Sequence, residues 1–207
     1  MIGANDRLLA AQVSTGLDAL LATPPAVLLI NFEIPAEAVR AAVAWGRGRG
    51  VPVVVDAGPI RDYGADVWGE ADVISPNAAE TAHLTGVSAA DLPSALTAAK
   101  RLRAEGPRAV ALKLGPLGCL LLDDAGARQW PPFAVVPVDT TGAGDAWSAG
   151  LALGLAQGRS LDEAAVLANA CGAVAVTRPG AVMSMPTLAD VERLLATQPE
   201  PAPRWLH

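Results

Sequence analysis

The chain reads as an α/β protein, a mostly parallel sheet covered by helices on both faces, and three observations predict that class. Strand-sized and helix-sized segments alternate along most of its 207 residues. The strand-sized runs are almost continuously apolar, as strands buried on both sides must be. The residues able to do chemistry fall where those runs end, and sheets of this kind bind ligands at the carboxyl ends of their strands.

Taken in order, leucines at helical spacing predict a helix over Asp6–Ala22, closed by Pro24-Pro25. Ala26–Phe32 (AVLLINF) reads as a buried strand, and Ala36–Gly46 as an alanine-rich helix ending in the glycines of WGRGRG. Val51–Gly58 is the next strand, and Ala71–Asn77 contains a short third one. Helices follow over Ala78–Leu84 and Leu92–Glu105, then a fourth strand over Arg108–Gly115. CLLLDD and FAVVPV are expected as strands joined through a turn at Asp124–Gly126. The last third is helical, over Ala143–Gln157, Leu161–Val176 and Leu188–Ala196. With no internal repeat or linker, one α/β domain is expected over residues 1–198, followed by a loose tail over 199–207.

Hydrophobic residues make up 52% of the chain and charged ones 17%, enough apolar material for a sizeable core. A formal charge of −6 with no basic stretch excludes a general surface for nucleic acid or anionic membrane. An acidic ligand must then be held locally, by backbone dipoles or a metal. Cys119 and Cys171 lie far apart without CxxC spacing, so buried, inert thiols in a reducing compartment are expected. The amino terminus lacks a signal-peptide pattern and no apolar run reaches membrane-spanning length, which predicts a cytoplasmic protein with no membrane partner. His83 and His207 form no metal-ligand cluster, and no serine-hydrolase elbow is present.

Three stretches carry chemistry. In VDTTGAGDAW, Gly142 and Gly144 allow a tight turn into a helix whose unpaired N–H groups and dipole make an anion site. Asp145, in the first turn, cannot bind a phosphate but can take a proton from a hydroxyl attacking one. The same residues also suit a plain helix start stabilised by an acidic first turn. In SPNAAETAHLTG, Asn77 and Glu80 can share one helix face and offer oxygen ligands to Mg²⁺; taken alone, a capping box is the favoured explanation. LKLGPLGC ends a strand with Gly115 and Gly118, which suits half of a nucleotide loop or an ordinary strand–turn–strand. No P-loop motif occurs, and the single GxG is no dinucleotide fingerprint.

Together and in this order, these stretches resemble the ribokinase-like, phosphofructokinase-B type family of carbohydrate kinases. DTTGAGDAWSAG is similar to that family's C-terminal signature, PNAAE to its Asn-x-x-Glu motif, and KLGPLG to its nucleotide loop. AVTRPGAVMS resembles the stretch that helps bind a monovalent cation. INFEIP is similar to the Gln-Leu-Glu-Ile-Pro-like stretch of ribokinases and points toward ribose, with Gly3–Asn5 in the same register.

The resemblance implies a three-layer αβα fold and ATP-dependent phosphorylation of a sugar's primary hydroxyl. It makes Asp145 the base, with the N–H groups of Gly142, Ala143 and Gly144 stabilising the transferring phosphoryl group. Asn77 and Glu80 would position Mg²⁺–ATP, directly or through water; Lys113, Leu114, Gly115, Pro116, Leu117, Gly118 and Asn169 would line the nucleotide, and Glu33 would contact the sugar. Asp139 and Ser184 by side chain, with Thr141, Ala175, Arg178 and Gly180 by carbonyl, would hold K⁺.

Family members run about half as long again. The segment without a counterpart here is N-terminal and normally supplies the first strands, a small β lid, an early sugar-binding Asp and a Gly-Gly-Lys-Gly-x-Asn motif. The implied expectations are a sugar kinase lacking that lid, impaired on its sugar side, and a homodimer in the full-length form. Alternatives are a sibling kinase for another sugar, a nucleoside or a hydroxymethylpyrimidine, and a non-catalytic nucleotide-binding remnant.

Overall fold

Seven strands lie in one sheet in sequence order: β1 (Leu28–Asn31), β2 (Val53–Asp56), β3 (Val73–Ser75), β4 (Ala109–Lys113), β5 (Cys119–Asp123), β6 (Gly126–Trp130) and β7 (Arg204–Leu206). The structure, a computed structural model, describes residues 3–199 and 201–206; residues 1, 2 and 200, and His207, lie outside them. Pairing is parallel from β1 to β4 and antiparallel through β5, β6 and β7. Eight α-helices are described: α1 (Ala10–Asp18), α2 (Ala36–Arg49), α3 (Ala65–Trp68), α4 (Ala78–Thr85), α5 (Leu92–Ala104), α6 (Ala143–Ala156), α7 (Leu161–Ala175) and α8 (Leu188–Thr197). None of them is long and apolar enough to cross a membrane.

The apolar strands divide their side chains between two cores, as a period of two requires. Val53 and Val55 of β2 join α2, α3 and α5 on one face, while Val54 joins α6, α7 and α8 on the other. Continuous apolar sequence in β2 and β4 is thus the signature of a sheet with helices on both sides. α6 and α7 approach closely because Gly150 and Gly154 present no side chain. A Cβ on Gly154 would stand 2.7 Å from the Ala164 Cα, so glycine lets the backbone that carries the α6 start lie flat on α7.

Several expectations are corrected. AVLLINF is not buried throughout: β1 is an edge strand, its alternate residues are open, and Leu29 is 43% exposed. The helix expected over Asp6–Ala22 shortens to a 3₁₀ turn at Asn5–Arg7 and α1, which buries no residue completely. The partner of β5 is Gly126–Trp130, not FAVVPV, because pairing begins directly after the two-residue turn. Pro131-Pro132 then stops it, since proline donates no ladder hydrogen bond. Within the expected loose tail, Arg204–Leu206 forms β7, which adds to the free edge of β6, and Trp205 covers Gly126.

Cys119 and Cys171 are free and buried. Burial pushes their thiols up to about 12 and about 11, so both stay protonated at neutral pH.

Candidate active site

The stretch leading into α6 is folded around Asp139. Its carboxylate accepts the Thr141 N–H at 2.9 Å and the Gly180 N–H at 2.9 Å. Those hydrogen bonds hold the Asp139 carboxyl well below its ordinary value, at about 2, with the Gly180 N–H the larger cause. Gly142 then takes φ 77°, a left-handed step, and a side chain there would strike Met185 and the Ala181 backbone. The Ala143 N–H is spent on the Thr140 carbonyl at 3.2 Å. Among the described residues, the N–H groups of Gly142, Gly144 and Asp145 have no backbone acceptor and remain available to an anion.

This open helix end faces a cleft of about 200 Å³ lined by Asn31, Glu33, Asp56, Asn77, Glu80, Lys113, Gly144 and Asp145, with Gly58 and Pro59. Four of these residues carry carboxylates and one an ammonium, so the cleft favours cations until a counter-charge enters. Asp145 is exposed in the first turn of α6. It also lines an apolar groove of about 470 Å³ that runs along β1 beside Leu8, Val13, Leu17 and Leu29. It therefore stands where the two hollows meet.

Asn77 and Glu80 make the capping box in full. The Asn77 amide oxygen accepts the N–H groups of Ala79 and Glu80, and Glu80 accepts the Asn77 N–H at 2.7 Å. Capping does not exhaust the pair, because Glu80 is buried and lines the cleft. Burial raises its pKa; the Asn77 N–H and Lys113 pull it down, and the charges of Asp56 and Asp145 push it up again. Among the described residues, no three Asp, Glu, His or Cys side chains stand close enough together to hold a metal ion by themselves, so a divalent cation at Glu80 would draw its remaining oxygens from water or from the nucleotide.

Beneath this rim Lys113, expected to line the nucleotide, is tied to two residues to which the sequence reading gave no role, Asp56 and Ser148. The Lys113 ammonium, only 9% exposed, donates to Asp56 at 2.7 Å and to the Ser148 hydroxyl at 3.3 Å. Ser148 donates to the same Asp56 oxygen at 2.5 Å, and the other Asp56 oxygen accepts the Gly58 N–H at 3.1 Å. The one sequence signal was a serine on an otherwise apolar face of α6. Asn5 was likewise unassigned, and it donates to Glu33 at 3.2 Å.

The structure does not bring every expected residue to the cleft. Asn169 is interior: its amide donates to the Trp130 and Pro131 carbonyls and accepts the Trp147 indole N–H. In the 114–118 loop, Leu114 belongs to the core and Gly118 is buried, while Gly115 and Pro116 are open to solvent. Leu117 uses its carbonyl to accept the Gln129 amide at 2.7 Å.

The expected K⁺ residues meet in part. Asp139 joins the loop at Gly180, near Thr141, but the Ser184 hydroxyl donates to the Ala181 carbonyl at 2.7 Å. The Ala175 carbonyl accepts the Arg178 N–H at 3.2 Å, and the Arg178 side chain turns away to pair with Asp190.

Residues 18–188 match the family model described as pfkB family carbohydrate kinase. A ribokinase of Haemophilus influenzae is 34% identical over 168 residues, 81% of this chain and 55% of that protein. Fructokinase-2 of Zea mays is 35% identical over 137 residues, 63% of this chain and 40% of that protein. A solved Arabidopsis thaliana ribokinase, complexed with ribose and ATP, superposes with a TM-score of 0.77 at 30% identity, over 82% of this chain and 55% of that one. The chain thus spans about half the length of these relatives.

Proposed function

The chain belongs to the pfkB family of carbohydrate kinases, and from that premise we infer that its cleft transfers the terminal phosphoryl group of ATP to a sugar primary hydroxyl, ribose first, giving ribose 5-phosphate. The observation that carries the reading is the open end of α6, with three free N–H groups and Asp145 beside them. Asp145 takes the hydroxyl proton as the sugar oxygen bonds to phosphorus. The bond to the bridging oxygen breaks, and its electron pair leaves on ADP. The Gly142 and Gly144 N–H groups stabilise the equatorial oxygens as charge shifts among them.

Glu80 and Asn77 would hold Mg²⁺, directly or through water, and the ion would neutralise charge on the nucleotide phosphates. The Asp139 turn and the 175–184 loop would hold K⁺. With K⁺ bound there, ATP affinity or turnover is expected to rise above the level in Na⁺, and Asp139→Ala to remove the difference. An equal response of the unaltered chain to both ions would reject the cation role.

Ribose is favoured over fructose by the larger share of the chain matching a ribokinase and by Glu33, which Asn5 steadies at the mouth of the cleft. These are few groups to orient a sugar, and positioning is a large part of the barrier reduction. Ribose-dependent ADP release is therefore expected below the ordinary range of about 1–10³ s⁻¹, yet above release with fructose and above sugar-independent hydrolysis. Faster release with fructose would reassign the sugar. Tight ATP binding with no sugar-dependent release would favour a nucleotide-binding role instead.

A further inference from the structure

We propose that Asp56 and Ser148 are positioning residues for phosphoryl transfer, locking the Lys113 ammonium at the open end of α6, where it receives the terminal phosphate of the nucleotide. The inference rests on the kinase reading above. Lysine is a poor choice for a fixed position, because its four-carbon stem is flexible and its charge seeks water. Here that freedom is removed. Asp56 is itself oriented through both oxygens, by the Gly58 N–H on one side and by Lys113 and Ser148 on the other.

Two of the three ammonium N–H bonds are thereby used, and among the described residues the third has no partner. The nitrogen lies beside the helix start: a Cβ on Gly144 would stand 3.9 Å from it. Among the described residues it is also the only cationic side chain lining the cleft. A phosphate oxygen held by the Gly144 and Asp145 N–H groups would find the free ammonium N–H alongside. The hydrogen bond would be charge-assisted and poorly screened, because the group is buried. No proton changes hands; Lys113 acts by donation alone.

A buried ion pair with a purely structural role would have the same distances, so the test must read the phosphate. Binding of ATP, ADP and AMP to the 207-residue chain can be measured by titration calorimetry for the unaltered protein, Lys113→Met, Asp56→Asn, Ser148→Ala and the Asp56→Asn/Lys113→Met double variant. Lys113→Met is expected to weaken ATP about tenfold or more, the worth of one charge-assisted hydrogen bond, and AMP far less. Asp56→Asn and Ser148→Ala are expected to weaken ATP in the same selective way, and the double variant to bind like Lys113→Met alone.

The sign for Asp56→Asn is decisive. If Lys113 acted by charge alone, removing the neighbouring carboxylate would tighten ATP; if position matters, it loosens it. Tighter or unchanged ATP binding in Asp56→Asn, or equal losses for all three nucleotides, overturns the proposal. The double variant removes both buried charges together and Ser148→Ala removes neither, so at least one of them reports if Asp56→Asn does not fold. Failure of the unaltered chain to bind ATP would overturn this proposal and the kinase reading together. ATP binding that is indifferent to Asp56 overturns this one alone.

Discussion

Asp145→Asn is expected to lower kcat for sugar phosphorylation by about 10²–10⁴-fold, the usual contribution of a positioned general base, with ATP affinity nearly unchanged. The substitution keeps size and hydrogen bonding at the first turn of α6 but removes the ability to take a proton. Because that proton moves only as the phosphoryl group transfers, the loss belongs to kcat rather than to ground-state nucleotide binding. A role confined to the helix dipole predicts a different result: a small loss of stability with activity preserved. Steady-state kinetics and nucleotide titration on the same preparation separate the two. A fully active Asp145→Asn protein would remove the base from the mechanism.

Arg128→Ala is expected to destabilise the fold by up to about 3 kcal/mol, the low end of the cost of breaking a buried ion pair from one side, because the carboxylates left behind are partly exposed. The Arg128 side chain is 2% exposed, and all five of its N–H bonds are used, on Asp123, Asp162 and the Gly126 carbonyl. Burial alone would lower its pKa, but the hydrogen bonds of Asp123 and Asp162 outweigh burial and hold it charged. Removing it takes the guanidinium from both carboxylates and leaves the Trp130 indole N–H on Asp162 as the remaining hydrogen bond from a side chain of the β5–β6 hairpin to α7. Against a total stability of about 5–15 kcal/mol for a domain, the loss is large and would show in denaturant unfolding.

The same network gives a pH dependence. Burial works against the Asp123 carboxylate, yet Arg128 holds its pKa below the ordinary value. Its contribution is present above the unfolded-state pKa and is lost as pH falls through the folded one. An Arg128→Ala protein should lose that acid-side slope. Unchanged stability in Arg128→Ala would mean that the carboxylates find other partners.

How much of this could be read without coordinates depends on the range of the interaction. The capping box of Asn77 and Glu80 spans three residues, and the glycine turn into α6 spans six, so local sequence determined both. Alternation of long apolar runs with helical periods likewise determined an α/β sheet, because a strand covered on both faces has no polar side to show. Boundaries were less legible where burial depends on neighbours. β1 has the apolar run of an inner strand but stands at the edge, and FAVVPV has strand residues but follows two prolines that stop pairing.

Within the cluster under the cleft, the place of Lys113 was legible but its partners were not. Asp56 and Lys113 are 57 residues apart, and Asp56 and Ser148 are 92 apart; nothing local signals that they share one oxygen. Asn169 shows the converse, since its place in a family pattern suggested a ligand contact and packing spent its amide on Trp130, Pro131 and Trp147. The sequence by itself determined the glycine turn before α6, the acidic residue in its first turn and the capped helix starts, because hydrogen bonds between near neighbours are encoded where they form. Only the tertiary structure decided which buried charges face one another, because that depends on how parallel strands and their crossover helices bring distant residues to one end of the sheet.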